Sequence, residues 1–241
     1  MWIKNTQDLI NLISTWPKLN NFTLVGGSAL SYWLKHRYSE DLDFFSGDDR
    51  LNVSDFNNLN IHFKHACKIN LIANKTVFSN TLLSKDNLIY TIQKDYLINN
   101  VKVTFYASGL DFLKNINNKI KYKNNFYIAK EEIVYTMKAI ALIDRSALKD
   151  YYDIMFILKK IKLKTLFDVT HKYYQGLFNK KLFLKHLLLV NDIQEDYLPS
   201  YITTNKISKN DLYIYFKDII IKYIKENNLI QNNSIINKLE L

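Results

Sequence analysis

The residues best able to do chemistry lie close together between Gly26 and Phe45, in the run GGSALSYWLKHRYSEDLDFF. Asp41 and Asp43 flank Leu42. In an extended strand, residues two apart project to the same face, so the two carboxylates project together while Leu42 and Phe44 turn to the core. Adjacent carboxylates repel each other and do not stabilise a fold, whereas a divalent cation neutralises them. Hard oxygen ligands suit Mg²⁺, with Mn²⁺ as a substitute, and Mg²⁺ binds through one or two carboxylates plus substrate phosphates. The turn Gly26-Gly27-Ser28 follows the apolar run Phe22–Val25 and opens a helix. Glycines let backbone amides approach a phosphate, and a helix N-terminus favours negative charge. A phosphate cradle followed by a metal-binding pair of aspartates points to metal-assisted attack on a nucleoside triphosphate. The plainer reading, a capped turn and a solvated edge strand, accounts for each piece separately but not for their spacing.

The elements that must position these residues can be read from hydrophobic periodicity. Asp8–Trp16 has helical spacing and ends at Pro17. Strands are expected at Phe22–Val25 and Leu42–Phe45, with a helix over Ser28–Lys35 between them. A further helix is expected at Val53–His65 and strands at Ile69–Phe78 and Leu88–Leu97. Asn99-Asn100 reads as a hairpin turn into a strand at Val101–Tyr106. From Lys130 the chain reads as nearly all helix, over 130–145, 147–160, 164–175, 180–190 and 209–227. The expected fold class is α+β: an N-terminal domain over 1–128, with a mixed sheet and flanking helices, followed by a C-terminal helical bundle over 129–241.

Composition bounds the function. A chain of 241 residues can build an ample core. No apolar run reaches the roughly 18 residues of a membrane span, and the start of the chain has no secretory pattern. Cys67 is the only cysteine, which excludes an internal disulfide and a multi-cysteine zinc site. A cytoplasmic location is expected. The net charge of +10 favours polyanionic partners such as nucleic acid, although the abundant Lys, Asn and Ile also fit an AT-rich coding bias. Acidic residues gather at Glu40–Asp49, and basic ones at Lys114–Lys123 and Lys159–Lys185.

The full run Leu24–Leu30, followed by His36-Arg37-x-Ser39-x-Asp41-Leu42-Asp43-Phe44-Phe45, resembles the AbiEii/AbiGii-type toxin nucleotidyltransferases. These belong to the superfamily built on the DNA polymerase β palm. The family also carries a helical lysine, an arginine and a Lys-Asp-x-x-Asp segment, matched here by Lys138, Arg145 and Lys149–Asp153. The resemblance covers roughly residues 5 to 160. It implies a polymerase β-like palm and a Mg²⁺-dependent toxin of a toxin–antitoxin or phage-defence pair. Such an enzyme transfers a nucleoside monophosphate from an NTP to an acceptor hydroxyl and releases pyrophosphate. The implied acceptor is RNA, with the tRNA 3′ end leading, and the implied partner is a cognate antitoxin. Two other readings stay open. One is a nucleotidyltransferase acting on a small molecule such as an antibiotic, or on a protein side chain. The other is a degenerate palm that binds nucleotide or RNA without catalysis.

The resemblance also assigns residues. Asp41 and Asp43 are the metal ligands and catalytic carboxylates. Gly27, Ser28 and Arg37 bind nucleotide. Lys138 stabilises the leaving pyrophosphate, Arg145 orients phosphate, and Asp150 is the base toward the incoming hydroxyl. Read without the family, Lys138, Arg145, Asp150 and Asp153 would be an inter-helix salt-bridge network on a solvated face. The chain departs from the wider superfamily at Thr104, where a third carboxylate is often found. Either two aspartates suffice with phosphate oxygens and water, or Asp150 assists.

Overall fold

The computed structural model describes residues 1–57, 59–63, 66–79, 88–107, 118–174, 178–194, 198, 203 and 206–227. They form two compact units, Met1–Val134 and Tyr135–Leu241.

The first unit is built on a seven-stranded mixed sheet. Its strands are β1 (Thr23–Val25), β2 (Leu42–Ser46), β3 (Ile69–Ser79), β4 (Leu88–Ile98), β5 (Val101–Ala107), β6 (Lys119–Lys123) and β7 (Phe126–Ala129), in the order β3-β4-β5-β2-β1-β7-β6. Helix α1 (Lys4–Ile13) precedes β1 and begins earlier than its apolar spacing suggests. Helix α2 (Gly26–Leu34) joins β1 to β2 and takes both glycines into its first turn. Two short helices, α3 (Val53–Asn57) and α4 (Leu59–His62), replace the single helix expected from Val53; Lys64 and His65 lie outside the described residues. The Asn99-Asn100 turn is present, with both residues at positive φ (48° and 64°). Asparagine tolerates this conformation, which matches the twist of a two-residue hairpin.

Alternation along the strands separates two faces. Leu42 and Phe44 on β2 and Val101, Val103 and Phe105 on β5 turn to one side and are buried. Phe105 is the hub of an aromatic cluster, 5.0 Å from Phe22, 5.2 Å from Phe44 and 5.2 Å from Phe56 between ring centroids. Burial of such rings contributes roughly 1.5–3 kcal/mol each. The residues between them, Asp43 on β2 and Thr104 on β5, therefore belong to the opposite face.

The second unit is helical. It takes most of α5 (Glu131–Arg145), then α6 (Leu148–Lys160), α7 (Leu163–Tyr173), α8 (Lys180–Leu188) and α9 (Lys209–Glu226). Gln175, the last residue of the helix expected from 164, lies outside the described residues. Leu166, Phe167, Phe183, Leu187, Leu212, Phe216 and Ile220 are fully buried. Helix α9 starts in a capping box between Ser208 and Asp211, which satisfies two otherwise orphaned amides. Among the described residues no helix is long and apolar enough to cross a membrane.

Candidate active site

The register of β1 against β2 sets the geometry of the first constellation. Val25 lies opposite Asp43, so the chain leaves β1 beside that aspartate. Gly26 has φ +67°, and a Cβ placed on it would lie 2.5 Å from Asp43 Oδ2. Both facts demand glycine: the backbone is left-handed and the space belongs to a carboxylate. A Cβ on Gly27 would lie 3.0 Å from Arg37 Nη2 and 3.5 Å from Ser39 Oγ. The Gly-Gly pair thus lets an acidic and a basic side chain approach the first turn of α2.

Ser28 is buried, and its hydroxyl is hydrogen-bonded to Ser39 Oγ at 2.9 Å and to the Asp41 carbonyl oxygen. This bond ties the start of α2 to the segment entering β2. The hydroxyl is therefore engaged within the protein, and the backbone amides are the groups that the first turn can offer a ligand. The N-cap residue Val25 provides no side-chain hydrogen bond to them. Arg37 is only 5 % exposed, and its Nη1 donates to the Tyr38 carbonyl at 3.0 Å. Helix α2 stops because Lys35 adopts a left-handed conformation, φ 51°. That reversal returns His36 and Arg37 toward the helix start.

Asp41 is exposed just before β2, and Asp43 is half-buried within it. Next to Asp43 on β5 stands Thr104, its register partner, and next to Thr104 on β4 stands Asp95. The row Asp43–Thr104–Asp95 crosses three strands on one face. Thr104, between the two aspartates, has no charge to offer a metal ion. Asp95, which sequence reasoning missed, is buried; it accepts a hydrogen bond from Gln93 Nε2 at 2.9 Å and lies 3.8 Å from Lys102 Nζ. The only signal in the sequence is an acidic residue midway along an apolar strand.

Among the described residues, no three His, Cys, Asp or Glu side chains are grouped so as to hold a metal ion. The oxygen donors of Asp41 and Asp43 nonetheless fit Mg²⁺, which takes the rest of its octahedron from water and substrate phosphates. Gly26 lets the Asp43 carboxylate approach the first turn of α2, where a phosphate sharing the ion would bind.

The second constellation lies within the helical unit. Lys138 of α5 is buried, with Nζ 3.1 Å from Asp150 Oδ1 and 2.7 Å from Asp153 Oδ2 on α6. Arg145 grips Asp150 bidentately, Nε to Oδ2 at 2.8 Å and Nη2 to Oδ1 at 2.8 Å. Both aspartates are fully buried, whereas the Arg145 side chain is 54 % exposed. The salt-bridge network is real, but it lies in the interior and not on a solvated face. Burial by itself pushes the Asp150 carboxyl up. The hydrogen bond from Arg145 and the charges of Lys138 and Arg145 outweigh that effect and hold it below its ordinary value.

The fold is that of nucleotidyltransferases. Residues 9–121 match the family model for the nucleotidyl transferase AbiEii toxin of type IV toxin–antitoxin systems. The chain is 29% identical over 182 residues to the protein aq_aa25 of Aquifex aeolicus (strain VF5), covering 73% of this chain and 77% of that one. Its fold is similar to that of MenT4, a nucleotidyltransferase toxin of Mycobacterium tuberculosis H37Rv, with a TM-score of 0.53 and 11% identity over 89% of this chain and 83% of that one. JHP933 from Helicobacter pylori is also similar, with a TM-score of 0.44 and 18% identity over 95% of this chain and 99% of that one.

Proposed function

We propose that this protein is a Mg²⁺-dependent toxin that transfers a nucleoside monophosphate from an NTP to a hydroxyl of RNA, the tRNA 3′ end foremost, and releases pyrophosphate. The observation that carries this reading is the placement of Asp43 against Gly26. It brings a hard carboxylate ligand to the uncapped first turn of a helix, where phosphate binds well. Arg37, buried beside Gly27, puts a cation at the positive end of α2. A phosphate bound at this turn would be favourable toward both the helix end and the guanidinium.

In this reading the amides of Gly27 and Ser28, together with Arg37, bind the triphosphate, and Asp41 and Asp43 would hold the ion. The ion would offset triphosphate charge and polarise the phosphorus under attack. The acceptor oxygen forms a bond to the α-phosphorus, the bond to the β-phosphate breaks, and the hydroxyl proton leaves to water beside the exposed Asp41. We assign phosphate contacts to Lys138 and Arg145 as well. The lowered proton affinity of Asp150 suits an anchor for these two cations better than a base. The first unit is the nucleotidyltransferase palm, and the helical unit supplies the second set of charges and acceptor binding. We place the enzyme in the cytoplasm, with a cognate antitoxin protein as its partner.

A catalytically degenerate palm draws support from Thr104, which cannot act as a charged ligand. The position of Asp43 at the glycine turn speaks for an enzyme. Labelled-NTP incorporation with total RNA, protein and small molecules offered as acceptors tests the proposal. RNA labelling is expected; labelling of only protein or small molecules, or of nothing, contradicts it.

A further inference from the structure

Within the helical unit, the turn between α6 and α7 and the last turns of α9 enclose a groove of about 190 Å³. Its lining is strongly basic. Lys159 and Lys160 end α6, Lys162 and Lys164 begin α7, and Lys222 comes from α9, against one carboxylate, Glu226. All five lysines are exposed, while Leu158 and Leu163 are buried beneath them. The ring of Tyr223 also lines the groove, packed edge-on against Phe167 at 5.3 Å.

The positions of the lysines say more than their number. Lys159 and Lys160 sit at the negative end of α6, where cations stabilise a helix. Lys162 and Lys164 sit at the positive end of α7, where cations are unfavourable. The first turn of α7 has no acidic residue, and Lys162 at the N-cap makes no side-chain capping bond. Lys164 pairs with Asp168 at 2.7 Å, but both side chains are exposed and such pairs contribute little. At the start of α7 the chain thus places positive charge where the helix end does not favour it. A phosphate diester bound there would be favourable toward the lysines and the helix end together.

We propose that this groove holds the sugar–phosphate backbone of the RNA acceptor, with Lys162 and Lys222 contacting phosphates from its two walls and Tyr223 available to an unpaired base. The assignment rests on the RNA-acceptor reading above. The lining of the groove does not include Lys138, Arg145, Asp150 or Asp153, so neither wall uses a residue placed in the transfer chemistry.

The test is the affinity of a full-length tRNA transcript, followed across salt concentration, for the whole chain and for Lys162→Glu/Lys222→Glu. The charge-reversed pair should bind at least about tenfold more weakly, with a salt slope shallower by about 2. NTP affinity should not change, and the melting temperature should change little, because glutamate suits the start of α7 and is unfavourable near the end of α9. Lys162→Arg/Lys222→Arg should bind as the wild type does, as should Lys75→Glu/Lys121→Glu, which changes net charge equally elsewhere. Wild-type affinity and slope in the reversed pair, alongside a salt-dependent wild type, would overturn the groove and leave the RNA acceptor standing. A wild type that binds tRNA without salt dependence would remove both. Retained tRNA binding with selective loss of a polyglutamate peptide would overturn the proposal in favour of an acidic protein.

Discussion

The carboxylate of Asp43 occupies the space that a side chain on Gly26 would need, with Oδ2 2.5 Å from the position of such a Cβ. One residue from β2 thereby dictates the residue type at the start of α2, and the glycine turn and the aspartate strand are locked together in the fold.

Gly26→Ala should therefore fail twice. An L side chain at φ +67° costs roughly 1–2 kcal/mol, and the new methyl group displaces Asp43. Transferase activity should fall by at least about two orders of magnitude, the scale of losing one electrostatic contact, with the melting temperature lowered modestly. Gly27→Val should spare the backbone, crowd Arg37 and raise the Kd for NTP. Calorimetric titration of NTP into both variants checks the order, and wild-type nucleotide affinity in Gly27→Val would make the turn merely structural.

The buried network predicts strong coupling between Lys138 and Asp153, whose charged atoms lie 2.7 Å apart. Removing one member of a buried ion pair costs roughly 3–5 kcal/mol, because the other is left buried and unpaired. Lys138→Met alone should be severely destabilised, and Lys138→Met/Asp153→Asn should recover part of the loss. A double-mutant cycle in urea measures the coupling, and additive effects would mean that the pair is not formed in solution. In the rescued double variant, kcat should still be reduced about a hundredfold if Lys138 contacts phosphate.

Asp150 predicts an acid limb to stability. Its folded proton affinity is held below the unfolded value, so its contribution is fully present above about pH 4 and is lost as pH falls through the folded value. Between pH 5 and pH 8 this group should add no slope. Urea unfolding from pH 7 to pH 2 should show a steep fall at the acid end in the wild type and a shallower one in Asp150→Asn. Equal slopes for the two would remove Asp150 as the group responsible.

Much of this architecture was legible in the residues. The apolar run before Gly26, the helix after it and the alternation Leu42-Asp43-Phe44 located β1, α2 and β2, because local patterns determine local elements. The β6–β7 hairpin escaped notice. Lys119–Lys123 reads as a basic run, and its turn residue Asn124 (φ 45°) belongs to no Asn-Gly pair. Asp95 was not legible as a neighbour of the site, since its place in the row beside Thr104 depends on the register of β4 against β5. Lys138 and Arg145, seven residues apart, share a helical face, but their spacing does not show that Lys138 is buried. Tyr135, Lys138, Ala139 and Leu142 of α5 are all buried, so the covered surface of the helix takes in this lysine. The sequence offers Ser28 to a nucleotide without showing which of its groups is available. Only the three-dimensional closure of Asp41 onto it shows the hydroxyl already engaged.

The central claim is that Asp41 and Asp43 carry metal-dependent nucleotidyl transfer. The most direct measurement is incorporation of labelled NMP into RNA by the wild type and by Asp41→Asn/Asp43→Asn, each with Mg²⁺ and with chelator, alongside thermal unfolding of both proteins. The account predicts RNA labelling by the wild type that chelator abolishes, and none by the double variant. It also predicts a melting temperature for the variant that is unchanged or higher without metal, because two like charges have been removed. Full incorporation by the double variant in Mg²⁺ would contradict it.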